Sequence, residues 1–448
     1  PDIIYRIVDC LVNVFSCHGY AITTIEGIGS KKKGYHPVQA RLAQFNGTQC
    51  GYCSPGMVMN MYSLLEGKQV TMKDVENSFG GNICRCTGYR PILDAFKSLA
   101  VDSSEDLRKK VPDIEEMHKV KICERNGKIC TGNCSVDDGH NGESHNKNLL
   151  AQANAPVHIK LAKDVDWYKV TTLQDIFEIF DKINDAPYRL VAGNTGQGVY
   201  RIEEDIRYFI DIGSVGELKT TKMEPNLVVG AGMSLTETME MFYTLSAENS
   251  KFAYTKVLAD HIDLIANVPV RNIGTIAGNL CMKNNHNEFP SDMFLMLETV
   301  GATINIAEEG NKIVKMSLLS FLDLDLKHKV IHSINLPELD SSYHVRTFKI
   351  MPRAQNAHAY VNAGFLFKLK INENGKVLTK PTIVFGGINP EFVHASNTES
   401  YINGKNLFDR KVLKTAMKIL DAELQLDHVL PDASPAYRKS LAEALFYK

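Results

Sequence analysis

Four cysteines in two closely spaced pairs constrain this chain more than any other feature of its sequence. Cys50 and Cys53 form a C-x-x-C motif, and Cys84 and Cys86 form a C-x-C motif further along the chain. Four thiolates grouped in two tight pairs are typical ligands of a metal centre. The sequence therefore predicts that residues 50–86 fold around a metal.

Each cysteine pair is followed by an apolar pattern of helical spacing, over Met57–Leu65 and over Ile92–Leu99. Pro55 and Pro91 lie where the first turn of each helix is expected, a position that needs no backbone N–H donor. Both pairs are thus predicted to lie just before helix N-termini. The partial positive charge and free N–H groups of such an end favour a bound anionic group.

Two kinds of metal centre are compatible with these residues. Four cysteines most often hold structural zinc, but zinc ribbons usually combine two C-x-x-C knuckles on turns. A [2Fe–2S] cluster also takes four thiolates, two on each iron, and its negative charge would be stabilised by Arg85 and Arg90. The residue chemistry favours the iron–sulfur interpretation over zinc, and both over a disulfide pairing.

The sequence around the cysteines resembles a known family. Residues Gln49–Met57 read QCGYCSPGM, and Gly81–Leu93 read GNICRCTGYRPIL. Both stretches are similar to the second iron–sulfur domain of the xanthine dehydrogenase/aldehyde oxidase family. The resemblance implies that Cys50, Cys53, Cys84 and Cys86 are the cluster ligands. It also implies that Gln49 faces a molybdenum cofactor (molybdopterin) held by a neighbouring domain.

Composition excludes several classes of partner. The 448 residues carry a net charge of −2, which gives no reason to expect nucleic acid or a membrane surface. No apolar run approaches the length of a transmembrane helix, and there is no signal segment. We therefore predict a cytoplasmic protein, in which the ten cysteines are metal ligands or free thiols rather than disulfides.

The chain begins at Pro1 within a helix-like pattern, which predicts a fragment of a longer protein. The resemblance implies that Cys10 is the last ligand of a first, plant-type [2Fe–2S] cluster. The three preceding ligands of that cluster are absent from this sequence. An N-terminal ferredoxin domain is therefore expected as a missing partner.

The chain is predicted to be multi-domain, with a small helical [2Fe–2S] domain over residues 1–101 and a linker over 102–158. The linker is too polar around Gly132–Asn148 to be buried. It contains three further cysteines, which could bind zinc with His118 or His140 as a fourth ligand but are interpreted as free thiols of a surface connector: Cys123, Cys130 and Cys134.

Strand and helix patterns alternate from about residue 159. Within Tyr188–Gly198, an apolar strand runs into a glycine-rich turn that begins at Gly193 and is able to direct backbone N–H groups at a phosphate. A second glycine-rich turn is predicted within Arg271–Leu280. Two such turns fit a ligand with two phosphates, such as FAD.

Both turns resemble the family's FAD domain, an α+β domain of the vanillyl-alcohol-oxidase (PCMH) type, here predicted over residues 159–340. Residues 341–448 resemble its α+β C-terminal lobe. Asp292 on its own also fits a helix cap. The FAD contacts that the resemblance implies are Leu190, Val191, Ala192, Gly193, Asn194, Thr195, Gly196, Gln197, Thr275, Ile276, Ala277, Gly278, Asn279, Asp292, Ile331 and Lys349.

The resemblance implies an oxidoreductase in which substrate is hydroxylated at molybdenum and electrons pass through iron–sulfur clusters to FAD. The final acceptor is NAD⁺ or O₂. The NAD-using relatives carry an acidic cluster where this chain has Gln355-Asn356-Ala357, which favours the aldehyde oxidase branch and O₂. A homodimer is also implied. The alternatives are a xanthine dehydrogenase-type enzyme, a subunit with a separate molybdenum chain, and a zinc-containing interaction protein without enzymatic activity.

Overall fold

A computed structural model describes residues 11–30, 34–66, 69–109, 155–201, 205–373, 375–431 and 433–448. The chain divides into two compact units, one of Pro1–Arg6 with His18–Asn154 and one of Ile7–Cys17 with Ala155–Lys448. Among the described residues, no helix has the length and apolarity needed to cross a membrane. Four cysteines discussed above lie outside the described residues: Cys10, Cys123, Cys130 and Cys134.

The first unit is helical over its described residues. Its helices are α1 (Ile25–Ile28), α2 (Pro37–Gln44), α3 (Ser54–Leu65), α4 (Met72–Ser78), α5 (Arg90–Lys97) and α6 (Glu105–Arg108). Apolar side chains at helical spacing on α2 to α5 form one buried core, in which Phe79 and Phe96 stack with ring centroids 5.2 Å apart. The predicted helix after each cysteine pair is confirmed by α3 and α5.

Local signals fix where these helices begin. Thr71 and Asp74 form a capping box at the start of α4, in which each side chain accepts a hydrogen bond from the other's backbone N–H. His36 and Gln39 form a second capping box at α2. The prolines predicted in the first turns of α3 and α5 are found there.

The second unit begins with a four-stranded sheet in the order β1-β2-β4-β3. Its strands are β1 (Val157–Lys160), β2 (Asp166–Lys169), β3 (Tyr188–Val191) and β4 (Tyr208–Asp211). β2 and β3 both pair in parallel with β4. Helix α7 (Leu173–Ile183) connects β2 to β3, and its apolar side chains at helical spacing, including Ile176 and Phe180, are buried.

A five-stranded antiparallel sheet follows, in the order β5-β6-β9-β7-β8. These strands are β5 (Thr221–Glu224), β6 (Asn226–Gly230), β7 (Thr303–Glu308), β8 (Lys312–Ser317) and β9 (Val330–Leu336). The helices of this region are α8 (Leu235–Glu248), α9 (Thr255–Ile262), α10 (Val268–Ile273), α11 (Ile276–Asn285), α12 (Asp292–Thr299) and α13 (Leu318–Leu322). The helices and this sheet share the largest apolar core.

The C-terminal part has a third sheet, in the order β10-β11-β13-β14 with β12 paired to β11. Its strands are β10 (Tyr343–Ile350), β11 (Val361–Lys370), β12 (Lys376–Val377), β13 (Thr382–Gly386) and β14 (Val393–His394). It is followed by α14 (Ser396–Ile402), α15 (Arg410–Glu423) and α16 (Pro435–Tyr447). The described chain therefore combines helix and sheet in the way the multi-domain prediction requires.

The segment Leu11–Cys17 differs from its predicted place. The sequence assigned it to the helical domain of residues 1–101, whereas the structure packs it within the second unit. The carbonyl of Leu11 accepts a hydrogen bond from Asn194 Nδ2 at 2.9 Å, and Phe15 lies 5.7 Å from Trp167 between ring centroids. These contacts connect residues distant in sequence, so local patterns could not predict them.

A half-buried histidine joins two parts of the second unit. His394 on β14 lies between two carboxylates, with Nε2 3.0 Å from Glu298 on α12 and Nδ1 3.2 Å from Glu399 on α14. Burial alone would lower the pKa of His394, but hydrogen bonds to both carboxylates raise it to about 9. The imidazolium therefore connects the region before residue 340 to the C-terminal lobe.

We expect this contact to make stability depend on pH. Because the folded pKa of about 9 lies above the ordinary value of 6.5, the stabilisation is fully present below pH 6.5 and is lost as pH rises through 9. His394→Gln should lower the free energy of unfolding at pH 6.5 by about 2 kcal/mol. Urea unfolding at pH 6.5 and 9.5 measures this. The variant should differ from the wild type much less at pH 9.5, and an equal difference at both values would contradict the assignment.

Candidate functional site

The two cysteine motifs lie in loops that lead into helices of the first unit. Cys53 directly precedes α3 and occupies its N-cap, and Cys84 and Cys86 lie in the loop that leads into α5. Gly88 and Tyr89 in that loop have positive φ values of 65° and 67°, which turn the chain back toward the first motif. The loops thus bring together cysteines that are distant in sequence.

The four thiols form two pairs, and each pair takes one cysteine from each motif. The sulfurs of Cys50 and Cys86 lie 3.5 Å apart. The thiols of Cys53 and Cys84 interact with each other, and this interaction, after burial, contributes to the raised pKa of Cys53. All four are free thiols. Two thiolates on one tetrahedral metal at about 2.3 Å would lie about 3.8 Å apart, so the first pair can share a single metal ion.

The pairing favours two metal ions over one. Among the residues that the structure describes, no three Cys, His, Asp or Glu side chains converge closely enough to hold a single metal ion. A zinc site requires all four sulfurs around one point, whereas a [2Fe–2S] cluster takes two thiolates on each iron. The arrangement of Cys50 with Cys86 and Cys53 with Cys84 therefore fits the cluster.

Hydrogen bonds from Thr87 stabilise a negative charge on Cys84, one thiol of the Cys53–Cys84 pair. Thr87 places its hydroxyl 3.0 Å and its backbone N 3.5 Å from Cys84 Sγ. These contacts, the hydroxyl first, lower the pKa of Cys84 to about 7, while burial raises the pKa of its partner Cys53 to about 11. Donors to the sulfur are also a means of stabilising a bound cluster. Tyr89 supports the loop, because its hydroxyl accepts from the Cys84 N–H at 2.9 Å.

The two pairs differ in exposure. Cys84 is buried and Cys53 is half-buried, whereas Cys50 and Cys86 are exposed. Gln49, predicted to face the molybdenum cofactor, is exposed next to Cys50. The Cys50–Cys86 pair is therefore the one that a neighbouring domain can approach.

The first predicted phosphate turn follows the carboxyl end of β3, the usual position of a ligand at parallel strands. Asn194 adopts a left-handed conformation with φ of 55°, and Thr195–Gly198 form a short 3-10 helix. A Cβ on Gly193 would lie 1.8 Å from the carbonyl oxygen of Ile273, and a Cβ on Gly196 would lie 2.8 Å from Met282 Sδ. These close approaches bring the turn against α10 and α11, where the second predicted motif lies.

The second motif has a different backbone from the one predicted. The prediction that Arg271–Leu280 form a glycine-rich turn is wrong, because these residues end α10 and begin α11. Only Gly274 and Thr275 lie between the two helices. The Thr275 hydroxyl caps α11 by accepting a hydrogen bond from the Gly278 N–H at 3.0 Å. The Ala277 N–H donates to the carbonyl of Ala231. The predicted stretch Thr275–Asn279 thus supplies a helix N-terminus whose dipole favours a negative group, although its first N–H groups are bonded within the protein.

Two predicted flavin contacts form a buried ion pair. Lys349 Nζ on β10 lies 2.8 Å from Asp292 Oδ2, and these side chains are 2 % and 7 % exposed. Burial would raise the pKa of Asp292, but the charge of Lys349 and the hydrogen bond from His261 hold it well below its usual range. Asp292 is the first residue of α12, whereas Ser291 is the N-cap, so its interpretation as the cap is wrong.

Residues that the sequence analysis did not single out complete this pair. His261 Nε2 lies 3.2 Å from Asp292 Oδ1, and Asn362 Nδ2 donates to the same carboxylate at 3.0 Å. A single histidine among apolar residues of α9 carries no distinctive signal. Asn362 was a possible signal, because it is a polar residue within the otherwise apolar start of β11.

These residues fit a large polar cofactor such as FAD. The close approaches at Gly193 and Gly196 leave the phosphate turn beside the end of α10 and beside α11. Next to the ion pair, Ser291 Oγ donates a hydrogen bond to Asn279 Oδ1 at 2.6 Å. His261 Nδ1 and Asn362 Oδ1 are buried and have no hydrogen-bond partner among the described residues. Ile331, another predicted contact, lies on β9 with its side chain in the core.

Three family models match successive parts of the chain. Residues 24–97 match a [2Fe-2S] binding domain. Residues 162–339 match the FAD binding domain in molybdopterin dehydrogenase. Residues 346–448 match the CO dehydrogenase flavoprotein C-terminal domain. The first match includes both cysteine motifs, and the second includes both predicted phosphate-binding stretches.

Curated relatives align over almost the whole chain. Probable aldehyde oxidase 1 of Oryza sativa subsp. japonica is 30% identical over 98% of this chain and 34% of its own length. Xanthine dehydrogenase 2 of Arabidopsis thaliana is 28% identical over 99% of this chain and 35% of its own length. The chain thus spans about a third of the length of these relatives.

A solved structure shares the fold of about two thirds of the chain. Carbon monoxide dehydrogenase from Hydrogenophaga pseudoflava superimposes with a TM-score of 0.51 at 17% sequence identity, covering 65% of this chain and 95% of that one. An identity this low supports the fold alone.

The two sites define an iron–sulfur flavoprotein, with a [2Fe–2S]-binding domain and an FAD-binding domain in one chain. The three matched domains follow one another along the chain. The relatives that align with it are named as an aldehyde oxidase and a xanthine dehydrogenase, which are oxidoreductases. The chain belongs to the xanthine dehydrogenase/aldehyde oxidase family, whose enzymes also use a molybdenum cofactor.

Proposed function

We propose that this chain is the electron-transfer portion of a molybdenum-containing aldehyde oxidase. In this function, electrons from the molybdenum site reach FAD through the cluster and then reduce O₂. The paired cysteines carry the proposal, because their arrangement fits two irons and they share one chain with a flavin-binding domain. A flavin suits such an exit, since it accepts single electrons and releases them as a pair.

The residues of each site have separate tasks in this proposal. Cys50, Cys53, Cys84 and Cys86 would hold the cluster, and Thr87 would donate to a ligand sulfur. The turn at Gly193–Gly198 and the N-terminus of α11 would hold the two phosphates of FAD. Lys349 and Asp292 would fix a charged pair at the flavin.

The choice of acceptor rests on the loop that follows β10. Gln355-Asn356-Ala357 contains no acidic side chain, and the Arg353 guanidinium donates to the carbonyls of Gln355 and Asn356. A further bond, from the Asn356 N–H to the Ala266 carbonyl at 3.1 Å, fixes this loop. This loop thus lacks the acidic cluster that is expected of NAD-using relatives. The difference supports O₂ as the electron acceptor.

A xanthine dehydrogenase-type enzyme is the second candidate, because xanthine dehydrogenase 2 of Arabidopsis thaliana is nearly as similar as the aldehyde oxidase. We also propose that the FAD domain is of the PCMH type and that the molybdenum-binding and ferredoxin domains belong to the same full-length protein. The cytoplasmic location and the homodimer stay predictions.

The cofactor content of the purified chain tests the proposal. We expect about two irons and about one FAD per chain, with neither zinc nor molybdenum in stoichiometric amount. Elemental analysis and the absorbance of released flavin measure this. About one zinc per chain without flavin would overturn the proposal and support the zinc-containing interaction protein instead.

The acceptor is tested on the reduced flavin. After chemical reduction without oxygen, we expect O₂ to reoxidise the flavin quickly and NAD⁺ to leave it reduced. Stopped-flow absorbance follows both reactions. Asn356→Asp, which places an acidic side chain in the loop, is the matched variant for increased reactivity with NAD⁺. Rapid reduction of the unaltered protein by NADH would favour the dehydrogenase.

A further inference from the structure

The buried ion pair of Lys349 and Asp292 lies at the centre of a hydrogen-bond network from four elements. Lys349 on β10 contacts Asp292 on α12 at 2.8 Å and the carbonyl of Leu264, just after α9, at 2.9 Å. His261 on α9 and Asn362 on β11 contact the same carboxylate at 3.2 and 3.0 Å. Asp292 thus bonds His261 and Asn362 through Oδ1 and Lys349 through Oδ2.

The ammonium of Lys349 has one donor left over. Its contacts with Asp292 and Leu264 use two of three N–H groups, and the described residues supply no third acceptor. A side chain only 2 % exposed cannot readily give that donor to water. An acceptor atom of a bound ligand would satisfy it, and Lys349 lies among residues expected at the flavin.

His261 can fix the position of Lys349 indirectly, because it bonds Asp292, which is the ion-pair partner of Lys349. Its side chain is 1 % exposed, and its ring bonds Asp292 through Nε2 while Nδ1 has no partner among the described residues. An uncharged ring with the proton on Nε2 would donate to the carboxylate and leave Nδ1 as a bare acceptor. In this tautomer His261 adds a donor to Asp292 without adding a second cation to the pair.

We propose that His261 is a positioning residue of the flavin site. It holds Asp292, and through Asp292 it holds the Lys349 ammonium where the third N–H donates to an acceptor atom of the flavin. The inference rests on the proposed FAD-binding function and concerns residues of this chain alone.

A fixed cation beside a flavin stabilises the electron-rich reduced form and therefore raises the midpoint potential. If the orientation of Lys349 is lost, the potential should become more negative and FAD should bind more weakly. Loss of one hydrogen bond to a buried charge corresponds to an affinity decrease of about tenfold.

Two amide substitutions separate hydrogen bonding from packing. In His261→Gln the side-chain nitrogen reaches the place of Nε2, so the bond to Asp292 is kept. In His261→Asn the nitrogen lies near the place of Nδ1 and cannot reach the carboxylate. Both variants bury the same polar group, so a general cost of burial acts equally on them. His344→Asn, on the same strand as Lys349, is the matched control.

The experiment measures the dissociation constant of FAD and the flavin midpoint potential of the purified 448-residue protein. His261→Asn should bind FAD about tenfold more weakly with a more negative potential, while His261→Gln should stay within about twofold of the unaltered protein. Iron content should be unchanged throughout. Equal behaviour of the Asn and Gln variants, whether both are unaffected or both are impaired, would overturn the inference.

Lys349→Met provides an independent measurement if the Asn variant does not fold. It should shift the potential in the negative direction while His261→Gln does not, and an unchanged potential in Lys349→Met would overturn the inference. If the unaltered protein binds no FAD, the proposed function itself is wrong. That outcome is distinct from FAD binding that is insensitive to residue 261.

Discussion

Replacing Cys53 with serine is expected to lower the iron content from about two atoms per chain to nearly none, while FAD stays bound. Serine is a poor ligand for this centre, and Cys53 shares its pair with Cys84, so one iron would lose half of its protein thiolates. The flavin residues belong to the other compact unit, with its own cores. Iron analysis and the absorbance of released flavin give both values from one sample.

Cys17→Ser is the control for this experiment, because Cys17 is a half-buried free thiol within the flavin unit. It should keep both iron and flavin at the levels of the unaltered protein. Loss of iron and FAD together in Cys53→Ser would count against two independently folded units. Full retention of iron would count against Cys53 as a ligand.

Gly193→Ala is expected to destabilise the flavin unit by about 3 kcal/mol and to weaken FAD binding by more than tenfold. The added methyl group would lie 1.8 Å from the Ile273 carbonyl oxygen and 2.4 Å from its carbon, both in the backbone. The phosphate turn and the end of α10 would have to separate. Urea unfolding monitored by circular dichroism and FAD titration measure the two effects.

Gly216→Ala makes the same chemical change where no atom lies within 4 Å of the new methyl group. Its effect on the free energy of unfolding should stay within about 0.5 kcal/mol, with FAD affinity unchanged. If Gly193→Ala were as stable as Gly216→Ala and bound FAD equally well, the contact between the turn and α10 would be wrong.

The helices and strands were largely predictable because their signals are local. The apolar spacing after each cysteine pair correctly predicted α3 and α5. The buried face of α7 likewise follows the local spacing of its apolar residues. The exception was the stretch Arg271–Leu280, where glycines indicated a turn. There Thr275 instead caps a helix, since its hydroxyl offers the backbone an alternative partner.

The sequence by itself identified the candidate side chains for binding a metal and a dinucleotide, because ligand chemistry depends on residue type and short-range spacing. It did not determine that Cys50 pairs with Cys86 and Cys53 with Cys84, since that pairing depends on how two loops approach. The same holds for His261, whose contact with Asp292 joins residues of α9 and α12. Only the tertiary structure decided these contacts, because the free energy of burying a charge depends on partners that are distant along the chain.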